Sequence, residues 1–330
     1  MPQFVTATVT ELLEERPGLQ RVATDGGRAY VLTELVGPVA VGDRVVLNTT
    51  AVGLGLGTGG WHVVHWNLAR DSWDQPGPGH IMKLRYTSLQ ADTGAAEEDH
   101  PDLPEALDGL PVVACSLHSQ VGIVAAVART LRPEARIAYV MTDGAALPLA
   151  LSNLVHDLRR LGVLDATVTA GHAFGGDLEA VSMPSALALA RHVADADLAI
   201  VGMGPGVVGT GSSLGTTAVE VAWVVDTVAA LGGDAALCVR VSEADPRNRH
   251  RGVSHHSATV LRLARTRPAI PLPPDLADEV EGAVAVEGPD VEKVLESLDL
   301  AVITSMGRGP AEDPAFFGAA GAAGAWLAQR

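Results

Sequence analysis

The segment Arg247–Ser257, RNRHRGVSHHS, holds three histidines and three alternating arginines within eleven residues. Alternate residues of an extended chain share a face, so Arg247, Arg249 and Arg251 would project together. Guanidinium groups grip carboxylate or phosphate in a bidentate fashion, which suits such a set to a small anion. Pairing with the neighbouring Glu243 or Asp245 is an equal alternative, and Arg240 just upstream adds to the local charge. Ser254 is placed to cap a following helix, with His255 and His256 in its first turn. The helix dipole there disfavours imidazolium, leaving neutral rings that can act as base, ligand or donor. Adjacent residues in a turn point in different directions, so at most one of the two is expected to touch a given ligand; His255 is the candidate.

Other polar loops carry the same chemistry. CSLHSQ offers Cys115, His118 and Ser119; TDGAALP offers Asp143; GHAFGGDLE offers His172, Asp177 and Glu179. His118, His172 and His255 are candidate general acids or bases, with Asp143 or Asp177 orienting one of them. GMGPGVVGTGSS contains G-x-G-x-x-G at Gly204, Gly206 and Gly209 and continues through Gly211. Together with Arg249 and Arg251, these glycines form the expected anion-holding set, through backbone N–H groups. A nicotinamide or flavin dinucleotide is the weaker alternative, because the acidic ribose ligand that should follow has no well-spaced candidate. No G-x-x-x-x-G-K-[ST] or G-x-S-x-G occurs. Without H-x-x-x-H or H-E-x-x-H to fix two ligands locally, no metal site is assigned, although His118, His172, Asp143, Asp177 and His255 could assemble one. No cofactor can be named. Cys115 ends a strand before a helix, which could activate its thiol, but a small buried hydrophobe is the commoner fate.

The elements that must position these residues differ along the chain. Residues 1–70 read as a small β-barrel-like domain, from FVTATVTEL, RAYVLTEL, GDRVVLNTT and WHVVHWNL, with GLGLGTGGW (residues 53–61) as a loop or bulge. Trp61, His62, His65 and Trp66 are expected in the barrel core and at a contact between barrel and main domain rather than in a ligand site. Residues 71–109 are a Pro-, Gly- and acid-rich linker with one ordered arm, HIMKLRYTSLQ. The arm would carry Lys83 and Arg85 toward the mouth of the main domain if Tyr86 were buried. In residues 110–330 apolar strands alternate with Ala/Leu-rich helices: LPVVACS, ARIAYVMT, DATVTAG, DLAIVGM, DAALCVRVS and DLAVITS each precede a helix. That alternation predicts a doubly wound, mostly parallel, Rossmann-like α/β sheet covered on both faces. Ligands in such sheets bind beyond the carboxyl ends of the strands, where these loops gather.

A net charge of −16 argues against nucleic acid or an anionic membrane as partner. Two cysteines, no C-x-x-C and no signal-like start suggest a cytoplasmic protein. The phrases GHIMKLRYT, LHSQ, MTDGAALP, GHAFGGDLEAV, GPGVVGTG and ADPRNRHRGVSHHS, from about residue 80 to 260, resemble a bacterial family known as domain of unknown function 3866. The acidic, Ala-rich tail is the main departure. The resemblance implies a shared architecture and supplies no activity. The expected function is an enzyme, a hydrolase or group transferase, acting on a small anionic, phosphorylated or nucleotide-like metabolite. The alternative is a non-catalytic ligand-binding or regulatory protein. The helix AFFGAAGAAGAWLAQ would pack in the core or against a second copy in a homo-oligomer.

Overall fold

Alternation of small β-branched residues with polar ones closes the first part of the chain on itself. In a computed structural model, which describes residues 1–56 and 59–330, five strands form a closed barrel. They are β1 (Phe4–Arg16), β2 (Leu19–Thr24), β3 (Gly27–Leu32), β4 (Arg44–Asn48) and β5 (His62–Asn67), in the order β1-β2-β3-β5-β4. Every second residue points inward, so Ala7, Val9, Val22, Ala29, Val31, Val45, Leu47 and Val64 fill the interior. The expectation for the aromatic cluster fails here. Of β5 only Val64 and Asn67 are buried, while Trp61 stacks on Tyr30 at 5.0 Å and His65 meets Phe4 edge-on. A barrel this narrow is filled by its aliphatic residues, leaving the large rings outside. Gly57 and Thr58, in the expected glycine loop, lie outside the described residues.

The chain divides into two compact units, Met1–Gly94 and Ala95–Arg330, with the boundary inside the acid-rich linker. Met82–Lys83 pairs with Ala91–Asp92 within the first unit. Tyr86 is 99% exposed with φ +62°, so the buried tyrosine that would support the arm reading is not found.

The second unit is built on six parallel strands: β6 (Pro111–Cys115), β7 (Ile137–Thr142), β8 (Ala166–Ala170), β9 (Leu178–Ala180), β10 (Leu198–Met203) and β11 (Asp234–Cys238). Their order is β9-β8-β7-β10-β6-β11. The usual dinucleotide-fold order, 3-2-1-4-5-6, is not followed, because the fifth strand of the unit inserts between the first and second. Five strands lie where the apolar runs place them. The sixth does not: DLAVITS is no strand, and the three-residue β9 fills the opposite edge. A central parallel strand needs both faces covered, whereas Val302 is 77% exposed and Asp299 and Met306 have positive φ.

Helices cover both faces. On one lie α1 (His118–Leu131), α2 (Asn153–Arg160), α6 (Val291–Ser297) and α7 (Pro314–Ala328); on the other lie α3 (Met183–His192), α4 (Glu220–Ala230) and α5 (His255–Leu263). The small residues of α7 serve this packing. A Cβ at Gly324 would fall 2.8 Å from the Val124 carbonyl of α1, and one at Gly321 would fall 2.5 Å from Val291. Nearly all of α7 is buried within the unit. Among the described residues no helix is long and apolar enough to cross a membrane.

Candidate functional site

Strand order decides where a ligand can enter. The chain leaving β6 turns to one face as α1, and the chain leaving the adjacent β10 turns to the other as α4. Loops that part in this way open a crevice at the carboxyl edge of the sheet. A cavity of about 650 Å³ lies there. Its lining comes from the loops after β6 (Leu117, His118, Ser119), β10 (Pro205–Val207, Gly209, Thr210) and β11 (Arg240, Arg247, Arg249, His250, His256). The failed strand supplies an apolar wall through Leu300, Val302, Ile303 and Met306, continued by Leu154. Gln120, fully buried, holds the rim together: its Oε1 accepts from the N–H groups of Ser116 and Leu117 at 3.0 Å. Its Nε2 donates to the carbonyls of Cys238 and Val239 at 3.2 and 3.3 Å.

The arginine-rich loop is an excursion between two short antiparallel segments, Val241–Ser242 and Gly252–Val253. Asp245, 1% exposed, anchors it. Its carboxylate accepts from Arg240 Nη2 at 2.8 Å, and from Arg247 N, Nε and Nη2 at 3.0, 2.9 and 2.8 Å. These bonds, Arg247's first, hold the Asp245 carboxyl well below the usual range. Structural pairing is thus the principal task of Arg240 and Arg247. Arg251 is exposed, bonds the Glu243 carbonyl at 3.4 Å and stays out of the cavity. Arg249 is exposed, lines the cavity and has no partner among the described residues. Of the three alternating arginines it is the one free to meet an anion.

The same excursion gathers three imidazoles. Ser254 caps α5 by accepting from His256 N, as its sequence position predicts, and its Oγ lies 2.8 Å from His250 Nδ1. The rings of His250, His255 and His256 pack mutually with centroids 4.9, 4.8 and 4.4 Å apart. Only one of the adjacent pair lines the cavity, as expected, but it is His256 and not His255, and the two rings pack together rather than diverge. Helical Cα–Cβ bonds tilt toward the N-terminus, and the first turn has no preceding turn to obstruct them, so both rings lean back onto His250. Burial first, then nearby positive charge, lowers all three: His250 to about 3, His256 to about 4, and His255 below its ordinary value. His255 Nε2 and both ring nitrogens of His256 are buried without a hydrogen-bond partner.

His118, at the start of α1, is a different kind of histidine. Its Nδ1 faces the Met203 carbonyl at 3.1 Å, which requires a proton there, so Nε2 is left to accept from Ser152 Oγ at 2.7 Å. Burial drives it to about 4. With both nitrogens engaged, it ties the loop after β10 to the cap of α2.

The remaining predicted residues scatter for topological reasons. His172 follows β8, four strand spacings or ~19 Å from β11. It donates its backbone N–H to Asp143 Oδ2 at 3.0 Å, and neither residue lines the cavity. Asp177 lies at the amino end of β8, bonding Thr167 N at 2.8 Å and Arg159 at 3.0 Å, which makes it a structural tie on the opposite rim. Gly206 (φ +98°) and Gly209 line the cavity; Gly204 and Gly211 do not. A Cβ at Gly204 would strike the Ala146 carbonyl at 2.5 Å, so its glycine serves loop packing. The loop spends the N–H groups of Val208 and Thr210 internally, on Thr217 Oγ1 and the Gly215 carbonyl. The helix it feeds opens with Glu220, whose carboxyl bonds Thr142 and is pushed up to about 7 by burial. A carboxyl group thus stands where a dinucleotide fold seats its pyrophosphate. Cys115 and Cys238, distant in sequence, are paired neighbours on β6 and β11, fully buried, and burial pushes the Cys115 thiol up, so it is no nucleophile.

Sequence reasoning missed His250 and His256 as site residues. The available signal was the spacing H-x₄-H-H across Gly252, whose φ of +65° lets the chain fold back.

A family model for proteins of unknown function (DUF3866) matches residues 28–324. The chain belongs to that family. Among curated proteins, none matches it.

Proposed function

We propose that the chain binds and transforms a small anionic metabolite in the crevice above β6, β10 and β11. The observation that carries this reading is Arg249, charged and unpartnered among the described residues, lining a cavity of about 650 Å³ that apolar side chains also line. That volume falls within the range of small-molecule sites. The anionic group of the ligand meets Arg249, supported by the electropositive Arg240–Arg247 pair; its less polar part lies along Leu154, Leu300, Ile303 and Met306. The reaction class is hydrolysis or group transfer. A second reading, binding without turnover, draws on His118, whose two nitrogens are already committed and offer no open base. A melting-shift and turnover screen over sugar phosphates, nucleotides and acyl phosphates tests both. Stabilisation by one class, weakened about tenfold or more in Arg249→Ala, supports the site. Product formation separates enzyme from binder, and ligands acting equally on wild type and variant overturn the assignment.

A further inference from the structure

We infer that His250, His255 and His256 form a binding site for a divalent transition-metal ion of the zinc type, each ring giving one nitrogen. The inference stands apart from the anion reading, since it concerns a cation and its test needs no organic ligand.

The first support is convergence. One ring nitrogen from each histidine lies within 4.8 Å of the others, the one such group of three among the described residues. Nitrogens about 2.0–2.1 Å from a tetrahedral ion sit ~3.4 Å apart, a contraction that ring rotations supply. The second support is what the nitrogens lack. His255 Nε2 and His256 Nδ1 and Nε2 are buried with no partner, and the three rings do not bond one another despite touching. Neutral imidazoles that need each other would form N–H···N links. Rings that crowd together with free lone pairs are arranged as donors around a shared guest. Leaving buried polar nitrogens unmatched is costly, and an ion would engage one on each ring. The third support lies behind the ligands. His250 Nδ1 lies 2.8 Å from Ser254 Oγ, and in the tautomer that donates to that oxygen Nε2 is a lone pair, the outer-sphere arrangement that orients metal-bound histidines.

Three histidines leave one tetrahedral position open, and two of them, His250 and His256, line the cavity. The neighbouring guanidiniums would repel a bare cation, and Asp245, shared by Arg240, Arg247 and Arg308, offsets only one of those charges. The remaining positive field favours an ion that carries an anion in its open position. Inorganic phosphate should therefore tighten metal binding.

The test uses tag-free, chelator-stripped full-length chain. Zn²⁺ is titrated against a chromophoric chelator, and Co²⁺ substitution is followed in the visible region. Expected are one ion per chain, a tetrahedral-type Co²⁺ spectrum and a raised melting temperature. Affinity should fall at least about 100-fold in His250→Ala and in His256→Ala, and be kept in His172→Ala, outside the cluster. Melting of each variant in chelator identifies any that fail to fold; for these, His255→Gln and wild type modified at histidine with and without Zn²⁺ replace them, and metal must protect the cluster from modification. Absence of stoichiometric binding, or equal affinity in folded cluster variants, overturns the inference.

Discussion

His118 and the trio His250, His255 and His256 are alike in being driven toward neutrality by burial, and His118, His250 and His256 line one cavity. They differ in what their nitrogens do. His118 is satisfied twice, by Met203 and Ser152, and has one fixed tautomer. The trio holds buried nitrogens without partners. A depressed pKa therefore does not separate the satisfied histidine from the unsatisfied ones. Hydrogen-bond completeness does, because a filled donor–acceptor set contributes to the fold, whereas an unfilled one costs stability unless a ligand completes it.

Several substitutions can break or sharpen this contrast. The largest effect is expected at Asp245, the anchor of the loop that carries the trio. Asp245→Ala strands Arg240, whose side chain is 4% exposed, and should cost about 3–5 kcal/mol by chemical denaturation. A loss below 1 kcal/mol would mean that the loop holds without its anchor. Next, His118→Leu should cost about 1–2 kcal/mol, since it leaves the buried Ser152 hydroxyl proton without its acceptor, while the Met203 carbonyl keeps the Tyr139 hydroxyl at 3.1 Å. His256→Leu, measured in chelator, should stay within about 1 kcal/mol of wild type, since it removes nitrogens that had no partner. Equal losses at the two positions would erase the distinction.

Glu220 extends the contrast to a carboxyl group. Burial raises its pKa from 4.5 to about 7, so the native state keeps a proton that the unfolded chain has released. Stability should fall as pH rises from 4.5 to 7, with the full penalty in place above 7. Glu220→Gln should flatten that slope and add on the order of 2 kcal/mol at pH 8, read from denaturation midpoints across pH. An unchanged slope would show that Glu220 is ionised and otherwise compensated. The smallest change is expected at Arg249→Ala, within about 0.5 kcal/mol of wild-type stability, because the side chain is exposed and unpaired among the described residues. A larger loss would reassign Arg249 to the fold.

Much of the architecture could be read from local pattern. Continuous apolar runs locate β6, β7, β8, β10 and β11, and Ser254 identifies its own cap. DLAVITS misleads because composition alone does not reveal that Val302 faces outward and that Asp299 turns left-handed. At the site, loops after β6, β10 and β11 do meet, bringing His118, Gly206 and Arg249 to one cavity. His172 and Asp143 fall away because strand order, which no local signal encodes, sends their strands to the other half of the sheet. His250 was hidden for a related reason: its neighbours are set by a hairpin excursion closed on Asp245, a tertiary event.

Strand order also governs how the second unit is assembled. Its first strand, β6, is interior: Val112 pairs with Ala199 of β10 and Ala235 of β11, both far downstream. During synthesis β6 must wait, apolar and unpaired, until most of the unit has left the ribosome. Closing such distant pairs is entropically slow, and waiting strands invite association with other chains. The crevice between the loops of β6, β10 and β11 can form only once β10 and β11 have arrived, and is among the last features to assemble.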